Sequence, residues 1–194
     1  VNQTTMRENQ ILTNIHNALL GLNNAELGDF NTIASQSLIS TTIANSNPMV
    51  TAVDVELSMV KRWFPERGVA KTFTFTTDNA IKSSNEGAYT NTVNYGVTSS
   101  VFQKIVSDEI TNCIIRDNGI GTLYLYVISL DGKLVRVVEP VGTVNYTTGE
   151  VSFVLDVYDY TPYIAFTCVL AGNSIVISKD KFISVDTPHI ALKL

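Results

Sequence analysis

Histidine and cysteine are scarce: two of each are all that 194 residues supply of the side chains that most often attack, relay protons or bind metals. His16 lies in an apolar-periodic stretch with no Glu-x-x-His arrangement around it. His189 follows Asp186 in "VDTPHI", where an aspartate could orient an imidazole base. A loop histidine is the plainer reading, because no Ser or Cys stands in a nucleophile motif. Cys113 and Cys168 sit in the apolar stretches "TNCII" and "AFTCVLA", where a cysteine behaves as a small buried hydrophobe. Two cysteines cannot form a disulfide framework, although a single bridge stays open. Neither a zinc-type Cys/His spacing nor a glycine loop for phosphate is present.

Positive charge is also short. Thirteen Lys and Arg face eighteen Asp and Glu, a formal net charge of -5. Nucleic acid is therefore not an expected partner, since phosphate binding needs a clustered cationic excess. The nearest approach to a basic cluster is Lys61-Arg62 with Arg67, interrupted by Glu66. Long apolar runs are missing too. Nothing reaches the roughly 18 consecutive apolar residues that a bilayer span requires, so membrane insertion is not expected. The opening "VNQTTMRENQ" has neither an initiator Met nor a charged-then-apolar signal pattern, and the expectation is a fragment of something longer.

What remains is ordinary globular material, 45% hydrophobic and 16% charged. Thr5 with Glu8 makes a capping box. Behind it Ile11, Ile15, Leu19 and Leu22 repeat at helical spacing, broadened by Leu12 and Leu20. "GLNN" and Gly28 end that helix. Asn31 is placed to cap a second, shorter one carrying Ile33, Leu38, Ile39 and Ile43, and "NSNP" stops it because Pro48 disfavours helix at the residue before it. The period changes at Val53. Val53, Val55, Leu57 and Met59 alternate with polar residues, as in a strand with one buried face.

Beyond "KRWFPERG" (61–68) the pattern is β throughout. Phe73 and Phe75 alternate with threonines; residues 76–92 read as a polar loop. Strands follow near 101–106, 112–116, 122–129, 134–138 and 163–170, with more in "SIVISKDKFISV" and "HIALKL". Asp131-Gly132 and the turn in "VGTVNYTTGEVSF" (141–153) mark hairpins. The expected fold is α+β: a two-helix α+β unit over 1–64, then an antiparallel, sandwich-like all-β unit over 65–194.

Glu150, Asp156 and Asp159 are the one acidic group. "DVYDY" lacks the alternating oxygen ligands and the glycine of a calcium loop, so solvated turn charge is the plainer reading. Asn145-Tyr146-Thr147 fits a glycosylation acceptor, a short and common pattern. No catalytic residue, metal or cofactor is expected, and the chain is read as not an enzyme. The feature that stands out is "KRWFPERG", which holds the only Trp beside two arginines at a strand end. Arg62, Trp63, Phe64 and Arg67 are candidate interface residues, since Trp and Arg are enriched at interaction hot spots. The alternative is that Trp63 and Phe64 cap the core.

The stretch "ELGDFNTIASQSLISTTIANSNPMVTAVDVELSM" follows an amphipathic helix and runs through a helix and a turn into a strand of alternating Val. Through Gly28, Ser35 or Ser37, Leu38, Ile43, Val50, Val53, Val55 and Leu57 it resembles the carboxy-terminal α+β unit of the baseplate J-like family of contractile phage tails. The hairpin at 141–153 and the closing segment look like the final β portion of baseplate wedge proteins from T-even-type phages. The resemblance covers residues 10–62 and 141–194. It implies a virion component of the tail baseplate, assembled in the host cytoplasm. Such a component self-associates as a dimer or ring and contacts other wedge and hub proteins. The rival reading is a receptor- or glycan-binding tail module, because Thr/Asn/Ser-rich β domains with Tyr also suit carbohydrate surfaces.

Overall fold

The computed structural model describes residues 3–24, 34–83, 95–172 and 174–175. Gly28, Asn31, Ile33, Asp186, His189 and most of the closing segment lie outside that set. The chain divides into two compact units, Val1–Leu57 with Asn173–Leu194 and Ser58–Gly172. The expected division at 64/65 differs on two counts. Residues 58–63 are a strand of the β unit, and the chain comes back to the first unit at its end.

In the first unit the predicted stripe forms helix α1, Gln3–Leu22, with Ile11, Ile15, Leu19 and Leu22 buried. The helix begins ahead of Thr5, which lies inside its first turn; its side chain, and so the expected capping box, falls outside the described set. Strand β1, Ala34–Ser35, runs directly into helix α2, Gln36–Ser46. Ser35 caps α2, its hydroxyl accepting from the Leu38 amide at 3.1 Å; this serine takes the role expected of Asn31. Ile39, Ile43 and Val50 pack on Ile11, Ile15 and Leu19. Asn47, in extended backbone, ends α2 just ahead of Pro48. Val53 and Val55 are half-buried and Leu57 buried between exposed neighbours, so the predicted alternation is visible in burial. A hydrogen-bonded ladder starts only at Ser58, where a partner strand exists.

The second unit is an antiparallel sheet of nine strands: β2 Ser58–Trp63, β3 Lys71–Thr76, β4 Val97–Ser99, β5 Phe102–Val106, β6 Glu109–Asp117, β7 Thr122–Ile128, β8 Leu134–Asn145, β9 Glu150–Leu155 and β10 Ile164–Val169. A two-residue strand β11, Ser174–Ile175, belongs to the first unit, where it pairs with β1. The spatial order is β2-β10-β4-β6-β7-β8-β9-β3, with β5 pairing with β6. The β7–β8 hairpin turns at Asp131-Gly132, where Gly132 has φ 78° and the Ser129 amide donates to the Lys133 carbonyl at 2.9 Å. The β8–β9 hairpin turns where expected, on Asn145, whose side-chain oxygen accepts from the Thr147 and Thr148 amides. Gly149 follows at φ 73°; a Cβ there would overlap the Thr77 hydroxyl and the Asn79 carbonyl, so the turn docks closely on the segment after β3.

The sandwich-like packing comes from one sheet folding over on itself, not from two separate sheets. β2 and β3 stand at opposite ends of the strand order, yet Trp63 of β2 stacks on Phe73 of β3 with ring centroids 5.3 Å apart. Trp63 also meets Phe153 of β9 edge-on at 5.1 Å, and Phe153 stacks on Phe166 of β10 at 4.7 Å. Beyond β3, the Ile81 amide reaches the Tyr146 carbonyl and the Lys82 amide the Val169 carbonyl, both at 2.8 Å. That segment bridges the β8–β9 turn to β10 and closes one end of the curl with backbone bonds. The core inside consists of Phe102, Phe153, Phe166, Ile115, Leu123, Leu125 and Ile164, each at most 2% exposed, with Trp63 among them at 7%.

Trp63 is thus a core residue, and truncating it leaves a cavity at the place where the sheet's ends meet. Trp63→Ala is expected to cost about 3–5 kcal/mol of folding stability. Denaturant titration of this variant measures it; a loss below about 1 kcal/mol would contradict a core role.

Candidate functional site

Strand alternation decides which side chains of "KRWFPERG" face solvent. With Trp63 turned inward, its neighbours Arg62 and Phe64 point out. Phe64 is 67% exposed and lies edge-on against Tyr163, centroids 5.8 Å apart. Arg62 sets its guanidinium 4.8 Å from the centre of the same Tyr163 ring. The three form an outward aromatic-cationic cluster beside the Trp63–Ile164 pairing. Of the four candidate interface residues, Trp63 is buried while Arg62, Phe64 and Arg67 are exposed.

The turn that follows is held at three points. The Gly68 amide donates to the Val157 carbonyl at 2.7 Å. The Tyr160 hydroxyl donates to the Pro65 carbonyl at 2.9 Å. Arg67 pairs with Asp159 at 2.7 Å and lies 5.3 Å from the centre of the Tyr160 ring. The ion pair is largely solvated and stabilises little by itself; it orients Arg67 more than it strengthens the fold. Glu66 pairs with Lys71, which holds its carboxyl below the usual carboxylate range. Phe64 and Arg67 are therefore displayed from an anchored loop.

The acidic residues singled out from the sequence are dispersed. Asp159 pairs with Arg67, and Asp156 pairs with Lys104, which lowers its pKa. Glu150 is exposed on β9. Among the described residues no group of three or more His, Cys, Asp or Glu is placed to hold a metal ion. His16 is exposed on α1. Asn145 is exposed, its side chain engaged in the hairpin turn. Cys113 and Cys168 are both buried and both free thiols, so the open question of a bridge resolves to none. Burial pushes Cys113 from 9.0 up to about 11, against an opposing pull from Lys104. Burial likewise pushes Cys168 up to about 12, with the Asp117 charge adding to it.

One buried polar centre escaped the sequence reading. Asp117, at the end of β6, has 0% exposure. Its carboxylate accepts from the Tyr146 hydroxyl at 2.6 Å, the Val97 amide at 3.0 Å and the Gly119 amide at 3.3 Å. The Tyr146 oxygen in turn accepts from the Gly121 amide at 3.3 Å. Burial, and then the bond to Asp117, raise the Tyr146 phenol well above its ordinary range. This centre ties β4, the β6–β7 turn and the β8–β9 hairpin together. It is assembled by residues far apart in the chain, and no spacing rule connects Asp117 with Tyr146. Tyr160 and Tyr163 were also missed, although the aromatic pair around Pro162 in "YTPYI" was a signal available beforehand.

Comparison with protein-family models returns no match, and comparison with curated proteins finds no relative. No helix among the described residues is long and apolar enough to cross a membrane.

Two outcomes follow from the buried groups. Tyr146→Phe keeps the ring but removes a donor from a buried carboxylate, and is expected to cost about 1.5–3 kcal/mol in a denaturant melt. An unchanged midpoint would mean that Asp117 is satisfied without the phenol. The raised thiols act on alkaline stability. Both keep their protons in the fold at pH values where the unfolded chain releases them. Their contribution is therefore complete below pH about 9 and declines as pH rises toward 11 and 12. Urea midpoints taken across that window should fall, and should fall less in a Cys113→Ala, Cys168→Ala double variant.

Proposed function

We propose that this chain is a structural assembly module, a piece of a contractile-tail baseplate wedge protein that joins copies of itself and neighbouring wedge and hub proteins in the virion. It acts by presenting a rigid surface and performs no catalysis. The resemblance of residues 10–62 and 141–194 to baseplate wedge proteins brings the reading to this chain. The observation that carries it is the exposed cluster of Phe64, Tyr163 and Arg62, with Arg67 on the anchored turn beside it. Specific interfaces concentrate their energy in a few aromatic and Arg anchors held in well-packed settings. Phe64 is a large apolar ring two-thirds exposed, backed by a strand whose next residue is locked in the core. Such a ring gains by being covered, and its ordering cost is already met by the contact with Tyr163.

The contact surface proposed here is centred on Phe64, with Trp63 as its buried foundation. Sedimentation equilibrium across concentration tests it. Phe64→Ala is expected to weaken self-association by about 2 kcal/mol, roughly a thirtyfold rise in dissociation constant, with the thermal midpoint little changed. A wild-type chain that stays monomeric at high concentration would exclude this face as the pairing surface. Unaltered association in Phe64→Ala would do the same.

A further inference from the structure

A second feature lies close to the anchored turn. The residues Val101, Phe102, Gln103, Asn112, Asp159, Tyr160 and Thr161 line an open cavity of about 260 Å³. Its floor is rigid. Phe102 is buried in the core, and Gln103 is pinned by backbone bonds in both directions, its amide donating to the Asp159 carbonyl at 2.7 Å and its carbonyl accepting from the Tyr158 amide at 2.8 Å. The Tyr160 ring is held by its hydroxyl on Pro65 and by Arg67 on its face.

We propose that this cavity is a binding subsite for one neutral saccharide ring. The proposal stands apart from the assembly reading and gives the glycan-binding alternative a specific place. The wall chemistry selects the ligand class. Phosphate or carboxylate ligands need an uncompensated cation; the described lining holds no Lys or Arg, and Arg67, which reaches the lining residue Asp159, is already paired with it. A purely apolar ligand would leave two amides and a carboxylate facing it, which is unfavourable. What the wall offers is planar polar groups set beside apolar surface.

The side chain of Gln103 donates a long 3.4 Å bond to Asn112 Oδ1. The amide nitrogen of Asn112, Oε1 of Gln103 and Oδ2 of Asp159 make no hydrogen bond to other described side chains. That leaves donors and acceptors together, as adjacent sugar hydroxyls require, since each hydroxyl both gives and accepts. Val101, 51% exposed, supplies apolar surface for the C–H face of a pyranose. The volume lies just below the usual range for drug-sized ligands, which fits a single ring and not a chain of them.

The test uses the whole chain and a panel of glucose, galactose, mannose, rhamnose, N-acetylglucosamine and N-acetylgalactosamine. Saturation-transfer NMR identifies binders, and titration of backbone amide shifts locates them. At least one sugar should bind saturably in the millimolar range, moving the amides of Gln103, Asn112 and Tyr160. Asn112→Ala, on an exposed position, should weaken that sugar at least tenfold with the melting temperature unchanged; Gln103→Ala serves as the second variant. The proposal is overturned if no sugar of the panel binds, if the shifts fall elsewhere, or if both variants bind as the wild type does. Loss of self-association in Phe64→Ala bears on the assembly surface alone, so the two ideas fail separately.

Discussion

The packing of Trp63 against Phe73 is the constraint on which the β unit depends. The strand order puts β2 and β3 at opposite ends, and no ladder joins them among the described residues. A sheet with two such ends would ordinarily expose both as pairing edges. Here the aromatic side chains of the end strands meet inside the curl, and Phe153 and Phe166 fill the space beneath. Between these two strands dispersion and apolar burial stand where a ladder would, while the backbone bonds of Ile81 and Lys82 close one end of the curl. The same commitment fixes the outside. A strand residue facing in obliges its neighbours to face out, and that is why Arg62 and Phe64 reach solvent on either side of Trp63.

Much of the fold was legible because it is local. The stripe Ile11, Ile15, Leu19 and Leu22 encodes a helix face within its own turns, and the change of period at Val53 marks the passage to β structure. The Asp131-Gly132 and Thr148-Gly149 turns declare themselves by residue type. Illegible features were those that depend on distant partners. Val53 and Val55 alternate as well as any strand, yet pairing begins at Ser58, because a ladder needs β10 beside it. Asn31 and Ser35 are equally good caps on paper, and only the point where β1 pairs with β11 decides between them. A sandwich and a sheet folded on itself share one alternation pattern, so sequence periodicity does not separate them. Trp63 in a strand-end motif is compatible with core or contact; Phe73, ten residues on, settles it. Of the candidate site, Arg62, Phe64 and Arg67 were visible beforehand, whereas Tyr160, Tyr163 and the Asp117–Tyr146 bond were not.

The outward cluster and the cavity share a hinge of contacts. Arg67 touches Asp159 and Tyr160, both of which line the cavity, and Tyr160 is bonded to Pro65, next to Phe64. A group entering the cavity would meet Asp159 on the carboxylate that Arg67 holds from its other oxygen, and a partner covering Phe64 would bear on the same turn. Energetic coupling between two such places requires differential contacts in the two states, and this short chain of side chains is where they would be found.

The pairing of Ser58 with Val169 has a different kind of consequence. The β unit is entered and left through neighbouring strands, so its two chain ends are separated by one ladder spacing, about 5 Å. To the remainder of the polypeptide, a unit of more than a hundred residues therefore occupies the footprint of a tight loop. A unit built this way is a cassette. It can be carried within a host chain without interrupting the host's own pairing, as β1 with β11 here illustrates, and it can be exchanged or lost at the cost of a short connection.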